Sequence, residues 1–178
     1  VAGLRSLGVS VKTDREMLPF TVHGPIKPAN IQVDSGGSSQ FISGLLFALT
    51  ATATSQVTIR VNRPESTPYL DLTMDVLARF GQPVRHNRYR EFIIDPLKFS
   101  HTDAVSFDVE ADWSGASCLL VAGAIAGSVT IHNLSAGSLQ ADRQLLEAFE
   151  KAGVPFEFNE KGVTVRKCKP LAFDFDAT

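Results

Sequence analysis

An eight-residue pattern recurs three times along this chain, and its recurrence limits the fold more than any other feature. Leu4-Arg5-Ser6-Leu7-Gly8-Val9-Ser10-Val11 is echoed by Leu77-Ala78-Arg79-Phe80-Gly81-Gln82-Pro83-Val84. It returns as Phe149-Glu150-Lys151-Ala152-Gly153-Val154-Pro155-Phe156. Each copy reads as a helix end, a Gly suited to positive φ, and the start of a strand. Two strand-like segments recur at the same offset of about 72 residues. Val57-Thr58-Ile59-Arg60-Val61 matches Val129-Thr130-Ile131-His132-Asn133, and Phe20-Thr21-Val22-His23-Gly24 matches Phe92-Ile93-Ile94-Asp95-Pro96. The offset is long for a solenoid unit and fits duplicated supersecondary units.

One full unit reads as strand 29–34, helix 38–51, strand 56–62, helix 67–80 and strands 83–88 and 90–95. The second reads as strand 105–110, helix 113–126, strand 128–134, helix 139–152 and strands 155–159 and 162–167. The repeating order is β-α-β-α-β-β, an α/β (α+β) architecture. Residues 1–24 read as the back half of an earlier unit and 171–175 as the first strand of a later one. The chain is therefore expected to be a piece of a longer protein. The first helix of each unit (Phe41 to Thr50; Ala116 to Ala126) is apolar nearly all round, as expected of a helix covered by neighbours. The second is amphipathic, with Leu70, Met74, Leu77 and Ala78 set against Asp71, Asp75 and Arg79. Sheets facing outward over buried parallel helices are the architecture expected.

Composition excludes several classes. With 44% hydrophobic and 20% charged residues, the chain can bury a real core. A formal net charge of −2 argues against a nucleic-acid or anionic-membrane surface. The richest apolar run, Gly115 to Gly127, is too short to span a bilayer. Val1-Ala2-Gly3-Leu4-Arg5 is neither a signal nor a transit peptide. Cys118 and Cys168 lie far apart without a C-x-x-C, as expected of buried free thiols in a reducing cytoplasm. His23, His86, His101 and His132 show no metal-ligand spacing, which favours structural roles.

The stretch Val33 to Leu46 carries the chemistry. A short strand (Ile31, Val33) enters a Gly/Ser turn, and an apolar helix follows from about Ser38. Its first turn offers free backbone N–H groups and the positive end of the helix dipole beside two hydroxyls and a carboxamide, a setting for an anion such as phosphate. Gly36 and Gly37 permit close approach of the backbone. A Ser-rich N-cap without any ligand is the plainer reading of this stretch alone. Downstream, Thr67-Pro68 places Pro at a first helical position, which sets Ser66 beside a second helix N-terminus. A helix cap and a packed aromatic are the plainer readings of Ser66 and Tyr69.

Three segments resemble a known family. Asp34 to Leu46 with Ser38-Ser39-Gln40-Phe41 at its centre is similar to the signature of EPSP synthases, the 3-phosphoshikimate 1-carboxyvinyltransferases. Ser66-Thr67-Pro68-Tyr69-Leu70-Asp71-Leu72-Thr73 resembles the family's Ser-x-Pro-Tyr element. Val109-Glu110-Ala111-Asp112-Trp113-Ser114-Gly115-Ala116-Ser117 resembles its Glu-Gly-Asp-x-Ser-Ser-Ala-Ser segment. They occur in family order and spacing, and the likeness spans essentially the whole chain.

The resemblance implies a two-domain enolpyruvyl transferase fold, each domain of three such units, with the active site in the cleft between domains. It implies transfer of the enolpyruvyl group of phosphoenolpyruvate to the 5-hydroxyl of shikimate 3-phosphate, with release of phosphate. The family uses no cofactor and no metal, and the full-length enzyme is expected to be a cytoplasmic monomer. Residues 1–109 would be the C-terminal part of the shikimate-3-phosphate-binding domain, and 110–178 part of the other domain, with the crossover near Glu110. Carried over by resemblance, Ser38, Ser39 and Ser66 hold the 3-phosphate. Gln40 contacts the same substrate and approaches phosphoenolpyruvate, and Tyr69 lies against the shikimate ring.

Departures from the pattern are Asp34-Ser35-Gly36-Gly37 before the motif, Ala111 where Gly is usual, and Trp113 in a slot usually small. Asp112 stands either as a helix N-cap or as a functional carboxylate near the crossover. No catalytic residue is expected in this chain. The family's Lys-Ser-x-x-x-Arg element, its Asn-x-Gly-Thr loop with Arg, and its C-terminal Arg/Lys residues are absent from the sequence, and Asp176 is not expected to be the base. A same-fold alternative is the enolpyruvyl transferase acting on UDP-N-acetylglucosamine, whose reactive-Cys loop is not found. A non-catalytic phosphate-binding module is the alternative from another class.

Overall fold

In the computed structural model of the chain, Gly8, Gly81 and Gly153 have φ of +76°, +77° and +66°. Each ends a helix: α1 (Ala2–Ser6), α3 (Thr67–Arg79) and α5 (Leu145–Ala152). The same pair of bonds closes all three. The Gly N–H reaches the carbonyl three residues back, and the next N–H reaches the carbonyl five back: Gly8 to Arg5 and Val9 to Leu4, Gly81 to Ala78 and Gln82 to Leu77, Gly153 to Glu150 and Val154 to Phe149. This closure needs a left-handed residue, which Gly supplies without a Cβ penalty.

The structure describes residues 1–34, 38–96, 104–159 and 162–175. They form two compact units, Val1–Val105 and Ser106–Thr178. In the first, α1 leads to an antiparallel pair, β1 (Ser10–Asp14) and β2 (Met17–His23). Then come β3 (Ile31–Asp34), α2 (Gln40–Thr52), β4 (Val57–Asn62), α3, β5 (Arg85–Asn87) and β6 (Glu91–Ile94). The sheet order is β3-β4-β6-β5, with β3 and β4 parallel and the other pairs antiparallel. Alternate strand residues point one way, so Val57, Ile59 and Val61 are buried while Arg60 and Asn62 are exposed. They share one core with Ile42, Leu45, Leu46 and Leu49 of α2 and Leu70 and Leu77 of α3. Burying each such side chain contributes about 1.5–3 kcal/mol.

The second unit contains α4 (Trp113–Ala126), β7 (Ser128–His132), a 3-10 turn (Ala141–Gln144) running into α5, β8 (Phe156–Asn159) and β9 (Gly162–Arg166). Its sheet order is β7-β9-β8, all antiparallel. The β4-α3-β5-β6 order of the first unit recurs here, with the first strand again beside the last. Val57 faces Ile94, and 72 residues on Val129 faces Val165. Its core gathers Trp113, Ala116, Leu120, Phe149, Val163 and Val165. Among the described residues no helix is long and apolar enough to cross a membrane.

Four expectations are corrected. Residues 105–110 form no strand. Their end is held to the backbone and side chain of Asn133, Ala111 N–H to the Asn133 carbonyl at 2.8 Å and the Asn133 amide to the Val109 carbonyl at 2.8 Å. One of these comes from a side chain, so no ladder forms. Residues 171–175 also form no strand. Leu171 donates to the Ala152 carbonyl at 2.8 Å, and the Lys151 ammonium lies 5.2 Å from the Phe175 ring centre, which hold the segment at the end of α5. The helix expected over 139–152 opens instead as a 3-10 turn after an extended Gln140. The all-apolar α4 is buried on one face only: Trp113, Ala116, Leu120, Gly123 and Ala124 are covered, while Leu119 and Ile125 are more than half exposed.

One cross-link in the first unit yields a test. The Tyr89 hydroxyl donates to both carboxylate oxygens of Asp71 at 2.9 Å, tying the β5–β6 turn to α3. That hydrogen bond, then burial and the carboxylate charge, raise the Tyr89 pKa. A raised phenol pKa means the stabilisation is full below the ordinary tyrosine value of about 10 and is lost as pH climbs through the folded value. Tyr89→Phe should lower stability by about 0.5–1.5 kcal/mol at neutral pH, toward the low end because the pair is partly exposed. Urea midpoints at pH 7 and above pH 10 check this: the gap between the two proteins should close at the higher pH.

Candidate functional site

The site follows from one parallel pairing. β3 and β4 run side by side with Asp34 opposite Asn62, so both strands end at the same edge of the sheet. A helix is the next element after each strand, α2 after β3 and α3 after β4. Two helix N-termini therefore lie beyond the carboxyl ends of neighbouring parallel strands, the usual place for a ligand in such sheets. An ion pair from the Arg63 guanidinium to Asp34 Oδ2 at 2.8 Å braces the two strand ends. This hydrogen bond and the Asp34 charge raise the Arg63 pKa.

A cleft of about 580 Å³ opens there, lined by Ser38, Ser39, Gln40, Ser43, Gly44, Phe47, Ser66, Tyr69, Leu72 and Thr73. A volume of this order accommodates a small metabolite. All five residues singled out in the sequence, Ser38, Ser39, Gln40, Ser66 and Tyr69, meet in this one cleft. Gly36 and Gly37 lie outside the described residues, as do Ser35 and Asp176.

The two N-caps keep their hydroxyls out of capping. Ser39 caps α2 and is 4% exposed, yet its side chain makes no capping bond. The Gln40 N–H is instead bonded to Ser38 Oγ at 3.3 Å. Ser66 caps α3, also without a side-chain capping bond, at φ +51° and ψ +47°. A left-handed serine costs about 1–2 kcal/mol, and such strain collects at ligand sites. Pro68 is the second residue of α3 rather than the first, and its missing N–H removes a donor that the first turn could not have satisfied. Each 13-residue helix brings about half a positive charge to its end. No charged side chain lines the cleft among the described residues, so dipoles, N–H groups and hydroxyls are what it offers an anion.

Ser43, Gly44, Phe47, Leu72 and Thr73 were not singled out in the sequence. Helical spacing carries the signal for them. Gln40, Ser43, Gly44 and Phe47 fall on one stripe of α2, and Tyr69, Leu72 and Thr73 on one stripe of α3.

Asp112 resolves as a cap. Its carboxylate accepts from the N–H groups of Ser114 at 3.0 Å and Gly115 at 2.9 Å. A Cβ on Gly115 would meet Asp112 Oδ2 at 2.9 Å, so the glycine admits the cap. Trp113 is fully buried, with its indole N–H on the Ser135 carbonyl at 3.3 Å. The expectation of buried thiols is corrected: Cys168 is half-buried, and Cys118 is exposed because it falls on the uncovered face of α4, away from the cleft. Among the described residues no group of three or more His, Cys, Asp or Glu could hold a metal ion.

The paired units and the cleft between two helix N-termini define an enolpyruvyl-transferase-like fold. Solved structures share it. An EPSP synthase from Acinetobacter baumannii aligns with TM-score 0.60 and 19% identity over 93% of this chain and 38% of that one. The enolpyruvyl transferase NikO from Streptomyces tendae aligns with TM-score 0.62 and 13% identity over 94% of this chain and 41% of that one. At those identities the likeness concerns the fold.

Sequence comparison narrows the class. The sequence model of EPSP synthase (3-phosphoshikimate 1-carboxyvinyltransferase) matches residues 1–174. The 3-phosphoshikimate 1-carboxyvinyltransferase of Clostridium novyi (strain NT) is 32% identical over 96% of this chain and 39% of its own length. The one from Methanosphaerula palustris is 36% identical over 94% of this chain and 40% of its own length. The chain belongs to the EPSP synthase family, and it spans about 40% of the length of these curated relatives.

Proposed function

We propose that the cleft holds the 3-phosphate of shikimate 3-phosphate, with Ser38, Ser39 and Ser66 donating to its oxygens from two helix N-termini. Gln40 then contacts the same substrate and reaches toward phosphoenolpyruvate, and Tyr69 packs against the cyclohexene ring. The first unit is, on this reading, the C-terminal part of a shikimate-3-phosphate-binding domain. The protein that carries the chain transfers the enolpyruvyl group to the 5-hydroxyl and releases phosphate. The reading carries with it a cytoplasmic location, a monomeric enzyme and no need of cofactor or metal.

The observation that supports it best is the pair of N-cap hydroxyls, Ser39 and Ser66, which spend nothing on their own helices yet line one cleft. A plain cap would have used them. The test is Ser39→Ala in the protein that carries this chain. One lost hydrogen bond to a charged group should weaken shikimate 3-phosphate binding by about 1–3 kcal/mol, or roughly 5- to 150-fold. Steady-state KM and direct titration check it, and an unchanged KM would remove Ser39 from the site.

A further inference from the structure

Two hydroxyls in the wall of the cleft join the helices that form it. Ser43 Oγ of α2 and Thr73 Oγ1 of α3 lie 2.8 Å apart, and Thr73 is buried at 8% exposure. Thr73 Oγ1 also donates to the Tyr69 carbonyl at 2.8 Å. A threonine hydroxyl has one proton, so with that proton on Tyr69 the bridging proton comes from Ser43.

The bonds on either side extend the connection. The Ser43 N–H donates to the Ser39 carbonyl at 2.9 Å, and the Tyr69 N–H donates to the Ser66 carbonyl at 3.2 Å. A continuous path therefore runs from Ser39 through Ser43, Thr73 and Tyr69 to Ser66. It begins at one N-cap serine and ends at the other. Its single side-chain-to-side-chain link is the Ser43–Thr73 bridge, and both of those residues also line the cleft.

Resting on the phosphate reading above, we infer that the Ser43–Thr73 hydroxyl bridge is a positioning device for that site. It holds α2 and α3 at the spacing at which the Ser39 and Ser66 ends serve one phosphate. Apolar packing between the helices resists separation but allows them to slide along or turn about their axes, and a bond of fixed length and direction opposes that motion. Thr73 additionally ties down the turn of α3 that carries Tyr69. Neither hydroxyl need touch the substrate for this role.

The test uses Ser43→Ala, Thr73→Val, the double variant and Thr73→Ser in the protein that carries this chain. Ser39→Ala serves as the reference for the site. Each bridge-breaking variant should raise KM for shikimate 3-phosphate about 3- to 10-fold, with a smaller change in kcat. The double variant should be no worse than the singles, because both break the same bond. Thr73→Ser keeps the hydroxyl and should restore most of the affinity. Ala is a good helix former, so Ser43→Ala gives a reading even where Thr73→Val folds poorly.

A KM within twofold of the unmodified protein in Ser43→Ala overturns the inference. Independent, multiplying losses in the double variant do so too, as does a Thr73→Ser that binds no better than Thr73→Val. If Ser39→Ala raises KM while the bridge variants do not, the inference alone falls. If Ser39→Ala is also silent, the phosphate reading falls and takes the inference with it.

Discussion

Given saturating phosphoenolpyruvate and shikimate 3-phosphate, this 178-residue chain on its own should release no phosphate above the uncatalysed background. On the proposed function the substrates bring two phosphates and two carboxylates between them, and enolpyruvyl transfer requires proton movement at a developing charge. Positioned cations and a general acid/base supply most of such a rate enhancement, and general acid–base catalysis alone contributes about 10²–10⁴ in rate. The cleft offers hydroxyls, a carboxamide and helix ends, and no Lys or Arg among the described residues that line it. Arg63, three residues before Ser66, is held by Asp34. Shikimate 3-phosphate should still bind weakly, since helix N-termini favour an anion without a cation's help. A coupled phosphate-release assay with calorimetric titration separates the two: binding without turnover is expected. Turnover at ordinary enzyme rates would show that the catalytic groups had been misassigned.

Trp113→Ala should be the most damaging single substitution in the second unit, costing about 3–5 kcal/mol. Trp113 is fully buried among Ala116, Leu120, Phe149 and Val163, so truncation leaves a cavity in the middle of a small core. It also removes the indole N–H bond to Ser135. Set against a typical 5–15 kcal/mol for a whole domain, such a loss takes much of a small unit's stability. Trp113→Phe keeps most of the apolar volume and should lose clearly less. Trp113 is the single tryptophan, so its fluorescence reports unfolding of the second unit in the unmodified chain. The variants are followed by far-ultraviolet circular dichroism in urea, where an Ala midpoint equal to the unmodified one would contradict the cavity argument.

Much of the fold was legible because its signals are local. The Gly8, Gly81 and Gly153 closures use the left-handed backbone that glycine favours, and alternating Val57, Ile59 and Val61 need only a sheet with one covered face. Strands 105–110 and 171–175 were misread for the complementary reason. Val105, Phe107 and Val109 alternate like a strand, as do Leu171, Phe173 and Phe175, but a strand requires a neighbouring backbone and alternation says nothing about whether one is there. The five residues brought together in the cleft were legible through short motifs at helix starts. Ser43 and Thr73 were not, because their meeting depends on which faces of α2 and α3 pack together. Asp112 stayed ambiguous because a capping aspartate and a reactive one are the same residue, and only its 2.9–3.0 Å bonds to two backbone N–H groups decide.

The left-handed backbone at Ser66 also narrows the routes by which mutation can improve this protein. Replacement by glycine relieves the strained φ of +51° but deletes the hydroxyl. Asparagine tolerates that backbone and keeps a polar group, yet its amide reaches further than the hydroxyl does. Alanine loses the hydroxyl and keeps the strain. Selection for heat resistance alone would favour glycine at this position, and on the proposed phosphate reading selection for ligand affinity would hold serine. A thermostabilised library screened only for folding should therefore lose Ser66 early, and the same library screened for binding should retain it.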